Sequence, residues 1–171
     1  MLDRLSDIRL LLLDVDGVMT DGSIIYDGNG LETKKFNVKD GHGIKMLQRH
    51  GIEVGIITGR TSLVVDIRAR ELGIELVYQG ALQKLESYIN VKLRTGFTDS
   101  QIAYMGDDVI DVPVMRRVIF AAAPADGLLE ARNVAHYVTS SAGGRGAVRE
   151  VCDLILKGRG LWDNIAARYE L

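Results

Sequence analysis

Six short apolar runs alternate with longer stretches of helical periodicity along this chain, and that alternation limits how it can fold. The runs are rich in Ile, Val and Leu without strict alternation of polar and apolar residues, which is typical of strands covered on both faces. We therefore predict an α/β fold, a doubly wound parallel sheet with right-handed helical crossovers. The predicted strands are 9–13, 53–58, 75–78, 102–105, 118–121 and a weaker 135–138, and the predicted helices lie near 41–50, 61–73, 81–95, 108–117, 126–133 and 144–157.

Length and composition are typical of one soluble globular domain, residues 1–171, with 47% hydrophobic and 26% charged residues. The formal net charge of −2 and the lack of basic runs give no reason to expect a nucleic-acid or membrane partner. No segment approaches the ~20 apolar residues of a membrane span. The amino-terminal segment carries acids where a signal peptide is basic, and the single cysteine, Cys152, excludes an internal disulfide. We expect a cytoplasmic protein.

Residues 23–38, SIIYDGNGLETKKFNV, interrupt the alternation of strands and helices. The turn sequence DGNG separates two short segments, and polar and apolar residues roughly alternate in 33–38. This pattern predicts a β-hairpin inserted at about 22–40, between the first strand and the first helix. The alternative is a loose surface insertion. No stretch is long enough for a large cap domain.

Acidic residues follow the predicted strands at one edge of the sheet. Asp14 ends the first strand in LLLLDVDGVMTDG (10–22), Thr58 ends the second, and Asp107 and Asp108 end the fourth. Because the carboxyl ends of parallel strands form the ligand-binding edge, we expect these residues to converge there. Carboxylates brought together repel each other, so the cluster predicts a hard cation, best Mg²⁺. For Asp108 and Asp111, capping of a helix or turn is the alternative.

Four motifs taken together resemble the haloacid dehalogenase superfamily of phosphatases. They are DVDGVMTDG at 14–22, ITGR at 57–60, Lys84 and GDDVID at 106–111, in the order and spacing of that superfamily. The stretches DGSIIYDGNGLETKKFNVKDG, GIKMLQRHGIEVGIITGR and GGRGAVREVCDLIL resemble more closely those members that dephosphorylate an eight-carbon sugar acid. This resemblance extends from about residue 8 to 157 and implies a Mg²⁺-dependent enzyme with the superfamily's Rossmann-like fold.

The resemblance also implies a role for each matching residue. Asp14 would be the nucleophile that forms an aspartyl-phosphate, and Asp16 the general acid and base. Asp14, the backbone carbonyl of Asp16 and Asp107 would hold Mg²⁺. Thr58 and Lys84 would bind the phosphoryl oxygens.

The implied substrate is a small sugar-acid phosphate, with a phosphate at one end and a carboxylate at the other. Arg60, two residues after Thr58, has the planar fork that suits a carboxylate, although it could instead pair with a nearby acid. The resemblance further implies a homotetramer in which the hairpins associate and a neighbouring subunit covers the site. The tail, about 158–171, is interpreted as a flexible closing element with an apolar patch of Leu161, Trp162 and Ile165; a disordered tail is the alternative.

Two other functions stay open on the sequence. One is a phosphatase for a nonulosonate, that is a sialic-acid-type, 9-phosphate or for a broader range of sugar phosphates. The other is a receiver-like signalling module that is phosphorylated on Asp14 and turns over no substrate. Asp16 argues against the module, because a second acid beside the acyl-phosphate would activate water to destroy it.

Overall fold

A fully parallel six-stranded sheet forms the centre of the computed structural model, which describes residues 4–170. The strands are β1 (Leu10–Leu13), β2 (Ile25–Tyr26), β3 (Glu32–Thr33), β4 (Glu53–Ile57), β5 (Leu76–Tyr78), β6 (Ile102–Met105), β7 (Phe120–Ala123) and β8 (Tyr137–Val138). The order in the sheet is β5-β4-β1-β6-β7-β8, while β2 and β3 form a separate antiparallel pair. The chain therefore winds outward from β1 in both directions, and the predicted doubly wound α/β fold is confirmed.

Helices cover both faces of the sheet. They are α1 (Val38–Arg49), α2 (Leu63–Leu72), α3 (Lys84–Thr95), α4 (Val112–Met115), α5 (Leu129–Val134), α6 (Ala147–Gly158) and α7 (Trp162–Arg168). The side chains of α1, α2 and α6 share one core cluster with Leu11 and Leu13, and those of α3, α4 and α5 share the other with Leu10 and Leu12. All four leucines of β1 are fully buried because alternate residues of a strand point to opposite faces. Burial on both faces makes β1 a rigid mount for the residues that follow it.

The region predicted as a helix over 108–117 differs from the prediction. Only Val112–Met115 are α-helical, and the residues before them form a loop. The Asp111 carboxylate accepts hydrogen bonds from the backbone N–H groups of Asp107 and Asp108, at 3.0 and 3.1 Å. Such side-chain acceptors compete with the helical hydrogen-bonding pattern, and here they hold the loop in place.

The hairpin forms as predicted, with Ile25 paired to Thr33 and Tyr26 to Glu32. Asp27 fixes its turn, since its Oδ1 accepts hydrogen bonds from the N–H groups of Asn29 and Leu31. It is not a loose insertion, because Glu32 forms an ion pair with Arg60, just beyond β4.

The tail folds into α7, which packs against the same core as α1 and α6. Ile165 is 3% exposed, and Leu161 and Trp162 pack against that core while half-buried. The Arg159 guanidinium, at the start of the tail, donates to the carbonyl of Ile8, which precedes β1. Among residues 4–170, no helix has the length and apolar character that crossing a bilayer requires.

Candidate active site

Asp14 is held at the carboxyl end of β1, at the centre of the sheet. Its backbone N–H continues the β1–β6 ladder by donating to the Met105 carbonyl at 3.0 Å. Its Oδ1 accepts a 2.7 Å hydrogen bond from the backbone N–H of Val15, which lies in the core. Asp14 is only 5% exposed, so β1 presents one acid at a fixed position with little access to solvent.

Asp107 follows β6, the neighbouring strand, and approaches the loop after Asp14 very closely. A Cβ atom at Gly17 would lie 2.0 Å from Asp107 Oδ2, and Gly17 has a φ of +87°. Only glycine adopts this backbone conformation readily and leaves room for the carboxylate. The close approach of two separate loops thus depends on the glycine of DVDG.

Lys84 is buried between two carboxylates. It is the first residue of α3 and is 1% exposed, and its Nζ lies 2.7 Å from Asp14 Oδ2 and 2.6 Å from Asp111 Oδ1. The Tyr104 hydroxyl also donates to Asp111 Oδ1. Burial alone would lower the pKa of Lys84, but the charges of Asp14 and Asp111 raise it overall, so the ammonium stays charged. Asp111 therefore fixes the lysine that contacts Asp14.

The two buried acids Asp14 and Asp107 are unfavourable in their ionised forms. Burial raises the pKa of Asp14 to about 6, although Lys84 opposes the shift. Burial, together with the charge of Asp14, raises the pKa of Asp107 to about 7. Both shifts mean that the site disfavours two ionised carboxylates unless positive charge is added.

The donor set fits a hard divalent cation. Single carboxylate oxygens of Asp14, Asp107 and Asp111 lie within 4.8 Å of one another. The Asp111 oxygens are already taken up by Lys84, Tyr104 and backbone N–H groups. Asp107 Oδ1, in contrast, is buried and has no hydrogen-bond partner among residues 4–170. Asp14 and Asp107 are thus the carboxylates that could hold an ion such as Mg²⁺, which needs only one or two.

Asp16 lies in the turn after Asp14 and contacts different partners. Its Oδ1 accepts a hydrogen bond from Lys34 Nζ, and its Oδ2 lies 4.0 Å from Arg60 Nη1. Arg60 Nη2 in turn lies 2.7 Å from Glu32 Oε1. Arg60 therefore does pair with a nearby acid, Glu32, which was the alternative for this residue. Asp16 and Arg60 form a polar wall beside the Asp14 pocket.

Thr58 directly follows β4 at the same edge and is 2% exposed. Its backbone N–H donates to the Tyr78 carbonyl at 2.9 Å, and its carbonyl accepts from the Ala81 N–H at 3.0 Å. These bonds join the ends of β4 and β5 to the segment that leads into α3. Thr58 is thereby fixed relative to the segment that leads to Lys84.

All six residues singled out from the sequence therefore lie at this edge, where Asp14, Asp107 and Lys84 form one pocket and Asp16 and Arg60 form its wall. The sequence did not single out Glu32, Lys34 and Ser62, and it left Asp111 as a possible cap. For Asp111, the spacing GDDVID was the available signal. For Glu32 and Lys34, the only signal was that the hairpin is the next element after the DVDGVMTDG motif.

Comparison with known proteins decides the family. A curated 3-deoxy-D-manno-octulosonate 8-phosphate phosphatase, KdsC, of Yersinia pestis is 50% identical over 155 residues, which cover 91% of this chain and 83% of the relative. The KdsC of Escherichia coli K12 is 49% identical over 162 residues, covering 94% of this chain and 85% of the relative. This chain belongs to the KdsC family. No model of a protein family matches the chain.

Solved structures agree with membership of the KdsC family. A Moraxella catarrhalis 3-deoxy-D-manno-octulosonate 8-phosphate phosphatase, solved with magnesium ion, phosphate ion and KDO, aligns with a TM-score of 0.96 at 42% identity, covering 98% of this chain and 97% of that one. A Legionella pneumophila structure described as a putative HAD superfamily (subfamily III A) hydrolase aligns with a TM-score of 0.94 at 38% identity, covering 99% and 94%. The resemblance to the haloacid dehalogenase superfamily is confirmed.

Proposed function

We propose that this chain is a Mg²⁺-dependent phosphatase that hydrolyses 3-deoxy-D-manno-octulosonate 8-phosphate to KDO and phosphate. The observation that carries the proposal is the pocket in which Asp14 contacts Lys84 and approaches Asp107, in a chain about half identical to KdsC enzymes. Because KDO is a lipopolysaccharide sugar, the activity would belong to lipopolysaccharide biosynthesis. The relatives described above are phosphatases or hydrolases, which speaks against a receiver-like signalling module.

The reaction would proceed in two steps. An oxygen of Asp14 attacks phosphorus in line, the bond between phosphorus and the C8 oxygen breaks, and Asp16 gives its proton to the departing sugar oxygen. Asp16, now ionised, then takes a proton from water as the water attacks the aspartyl-phosphate. Phosphate leaves and Asp14 is restored. The positions of the two acids suit this division, since only Asp14 lies in the buried pocket with Lys84.

Phosphoryl transfer requires mainly positioning and neutralisation of charge. Lys84 would hold Asp14 in place and meet a phosphoryl oxygen, and Thr58 would donate to another. Asp14, the backbone carbonyl of Asp16 and Asp107 would hold Mg²⁺, which supplies the positive charge that offsets repulsion between a carboxylate and a phosphate dianion. Binding of the ion would also remove the repulsion between Asp14 and Asp107.

Arg60 would recognise the carboxylate of the substrate. Its Nη1 is buried and has no hydrogen-bond partner among residues 4–170, so it is a free donor beside Asp16. A carboxylate acceptor would satisfy that donor, whereas an uncharged sugar end would leave the arginine without a counter-charge from the ligand.

Phosphate release from a panel of esters, with and without Mg²⁺, tests this function. The panel should contain KDO 8-phosphate, a nonulosonate 9-phosphate, and sugar phosphates without a carboxylate. We expect the highest kcat/KM with KDO 8-phosphate and no turnover in chelator. Equal or higher kcat/KM with the nonulosonate ester would instead support the alternative substrate.

We also propose that the chain is a cytoplasmic homotetramer assembled through the hairpins. Ile24, Ile25 and Tyr26 are 58%, 45% and 59% exposed, an apolar surface that association would bury. The tail would then help to close the site of a neighbouring subunit. Sedimentation should give a tetramer, and Ile24→Lys should shift it toward smaller species. A wild-type monomer at micromolar concentration would contradict the proposal.

A further inference from the structure

Two side chains of the hairpin are directed into the site. Residues two apart in extended chain share a face, so Glu32 in β3 and Lys34 just beyond it point the same way, while Thr33 and Lys35 point outward. The burial follows that alternation: the side chains of Glu32 and Lys34 are 15% and 1% exposed, and Thr33 and Lys35 are exposed. The hairpin is thus in contact with the site of its own subunit.

Glu32 holds the Arg60 side chain in place. Its Oε1 accepts a 2.7 Å hydrogen bond from Arg60 Nη2, and its Oε2 accepts one from the Ser62 hydroxyl. The same Nη2 also donates to the Tyr26 hydroxyl at 3.2 Å. Both Nη2 protons are therefore engaged, and the guanidinium is held with its unpartnered Nη1 toward Asp16.

Lys34 holds the Asp16 side chain in place. Its ammonium donates to Asp16 Oδ1 and lies 3.5 Å from Glu32 Oε1. Burying a lysine carries a large desolvation cost, and a buried ion pair taken as a whole often gives no more stability than apolar residues of similar volume. The contact with Asp16 therefore favours a functional reason for the lysine over a contribution to stability.

We propose that Glu32 and Lys34 are positioning residues for the reaction. Glu32 orients Arg60 so that Nη1 meets the substrate carboxylate, and Lys34 holds the Asp16 side chain beside the leaving oxygen. This inference rests on the proposed function. It makes the hairpin part of the catalytic apparatus of its own subunit, in addition to any role between subunits.

Glu32→Gln tests the arginine side. With KDO 8-phosphate, KM should rise about 10-fold with little change in kcat, because only binding of the carboxylate is weakened. With p-nitrophenyl phosphate, which has no carboxylate, KM should not change. In an Arg60→Ala background the same substitution should have no further effect on KM. An equal rise in KM for both esters would overturn the assignment of Glu32.

Lys34→Met tests the acid side, with Lys35→Met as the matched control on the exposed face. Lys34→Met should lower kcat/KM for KDO 8-phosphate at least about 10-fold, since general acid catalysis depends on position. The loss should be smaller with p-nitrophenyl phosphate, because nitrophenolate leaves without a proton. Lys34→Arg should recover part of the rate, and Lys35→Met should match wild type.

Thermal unfolding of each variant separates positioning from folding. Variants that unfold at the wild-type temperature and still show these substrate-dependent losses support the inference. Wild-type kinetics in Lys34→Met, or equal losses with both esters, would overturn it. Failure of the wild-type enzyme to hydrolyse KDO 8-phosphate would instead contradict the proposed function.

Discussion

Asp14 and Asp16 lie two positions apart, yet their side chains have different partners. Asp14 contacts the buried Lys84, whereas Asp16 contacts Lys34 on the hairpin. Asp14→Asn should abolish turnover, with a loss on the order of 10⁴-fold or more, because the amide is a poor nucleophile. Asp16→Asn should slow both steps and leave aspartyl-phosphate on the protein.

Mass spectrometry of acid-quenched protein measures that intermediate, and a phosphate-release assay measures turnover. The phosphorylated form should accumulate in Asp16→Asn and be absent from Asp14→Asn. Near-normal activity of Asp14→Asn would contradict the covalent mechanism.

Gly17 is the residue on which the closeness of Asp14 and Asp107 depends. Gly17→Ala would place a Cβ 2.0 Å from Asp107 Oδ2 at a φ of +87°, so either the loop or the carboxylate must move. We expect Mg²⁺ affinity to fall at least about 10-fold, with a parallel loss of kcat/KM at low Mg²⁺. Titration calorimetry measures the affinity. Gly28→Ala in the hairpin turn, where a Cβ meets nothing within 4 Å, is the matched control.

The helix α7 either stays packed on the core in solution or detaches from it, and the two states differ in stability. In the described structure Ile165 is 3% exposed in the main core. If α7 stays packed, Ile165→Ala should lower the free energy of unfolding by about 2–4 kcal/mol, because it leaves a cavity. Urea unfolding measures this, with exposed Asn164→Ala as control. A change below about 0.5 kcal/mol would indicate a tail that is detached in solution.

The elements of the sheet were predictable because they depend on local patterns. Four consecutive leucines before an acid favour a strand buried on both faces, and Leu10–Leu13 are that strand. The helix predicted at 108–117 was mostly wrong, since the Asp111 carboxylate replaces helical hydrogen bonds. Periodicity cannot reveal a side chain that bonds to its own loop.

In the site, too, some residues were predictable from sequence patterns and others depend on tertiary contacts. Asp14, Thr58 and Asp107 were predictable because parallel topology brings the ends of strands together. Glu32 and Lys34 were not, because the face of the hairpin that meets the site depends on how the hairpin folds over it. That orientation is a tertiary property, determined by contacts with residues distant in sequence such as Arg60.

For the whole molecule, the strain between the buried acids should appear as a dependence of stability on pH. The pKa values of about 6 for Asp14 and about 7 for Asp107 lie above the value of about 3.9 expected in the unfolded chain. Between about pH 4 and pH 7, the metal-free folded protein therefore binds more protons than the unfolded chain. Its stability is greatest below about pH 4 as far as these two groups are concerned, and is lost as pH rises through 6 and 7.

We expect the free energy of unfolding in chelator to fall by a few kcal/mol, in order of magnitude, between pH 5 and 8 through these two acids. Saturating Mg²⁺ should reduce the decline, because the ion binds the ionised carboxylates. Burial lowers the pKa of His136, which acts in the opposite direction, so the informative quantity is the difference between wild type and Asp107→Asn. Urea unfolding across this range should give a smaller decline for Asp107→Asn. An equal or steeper decline in that variant would mean that Asp107 titrates normally and is not strained by burial beside Asp14.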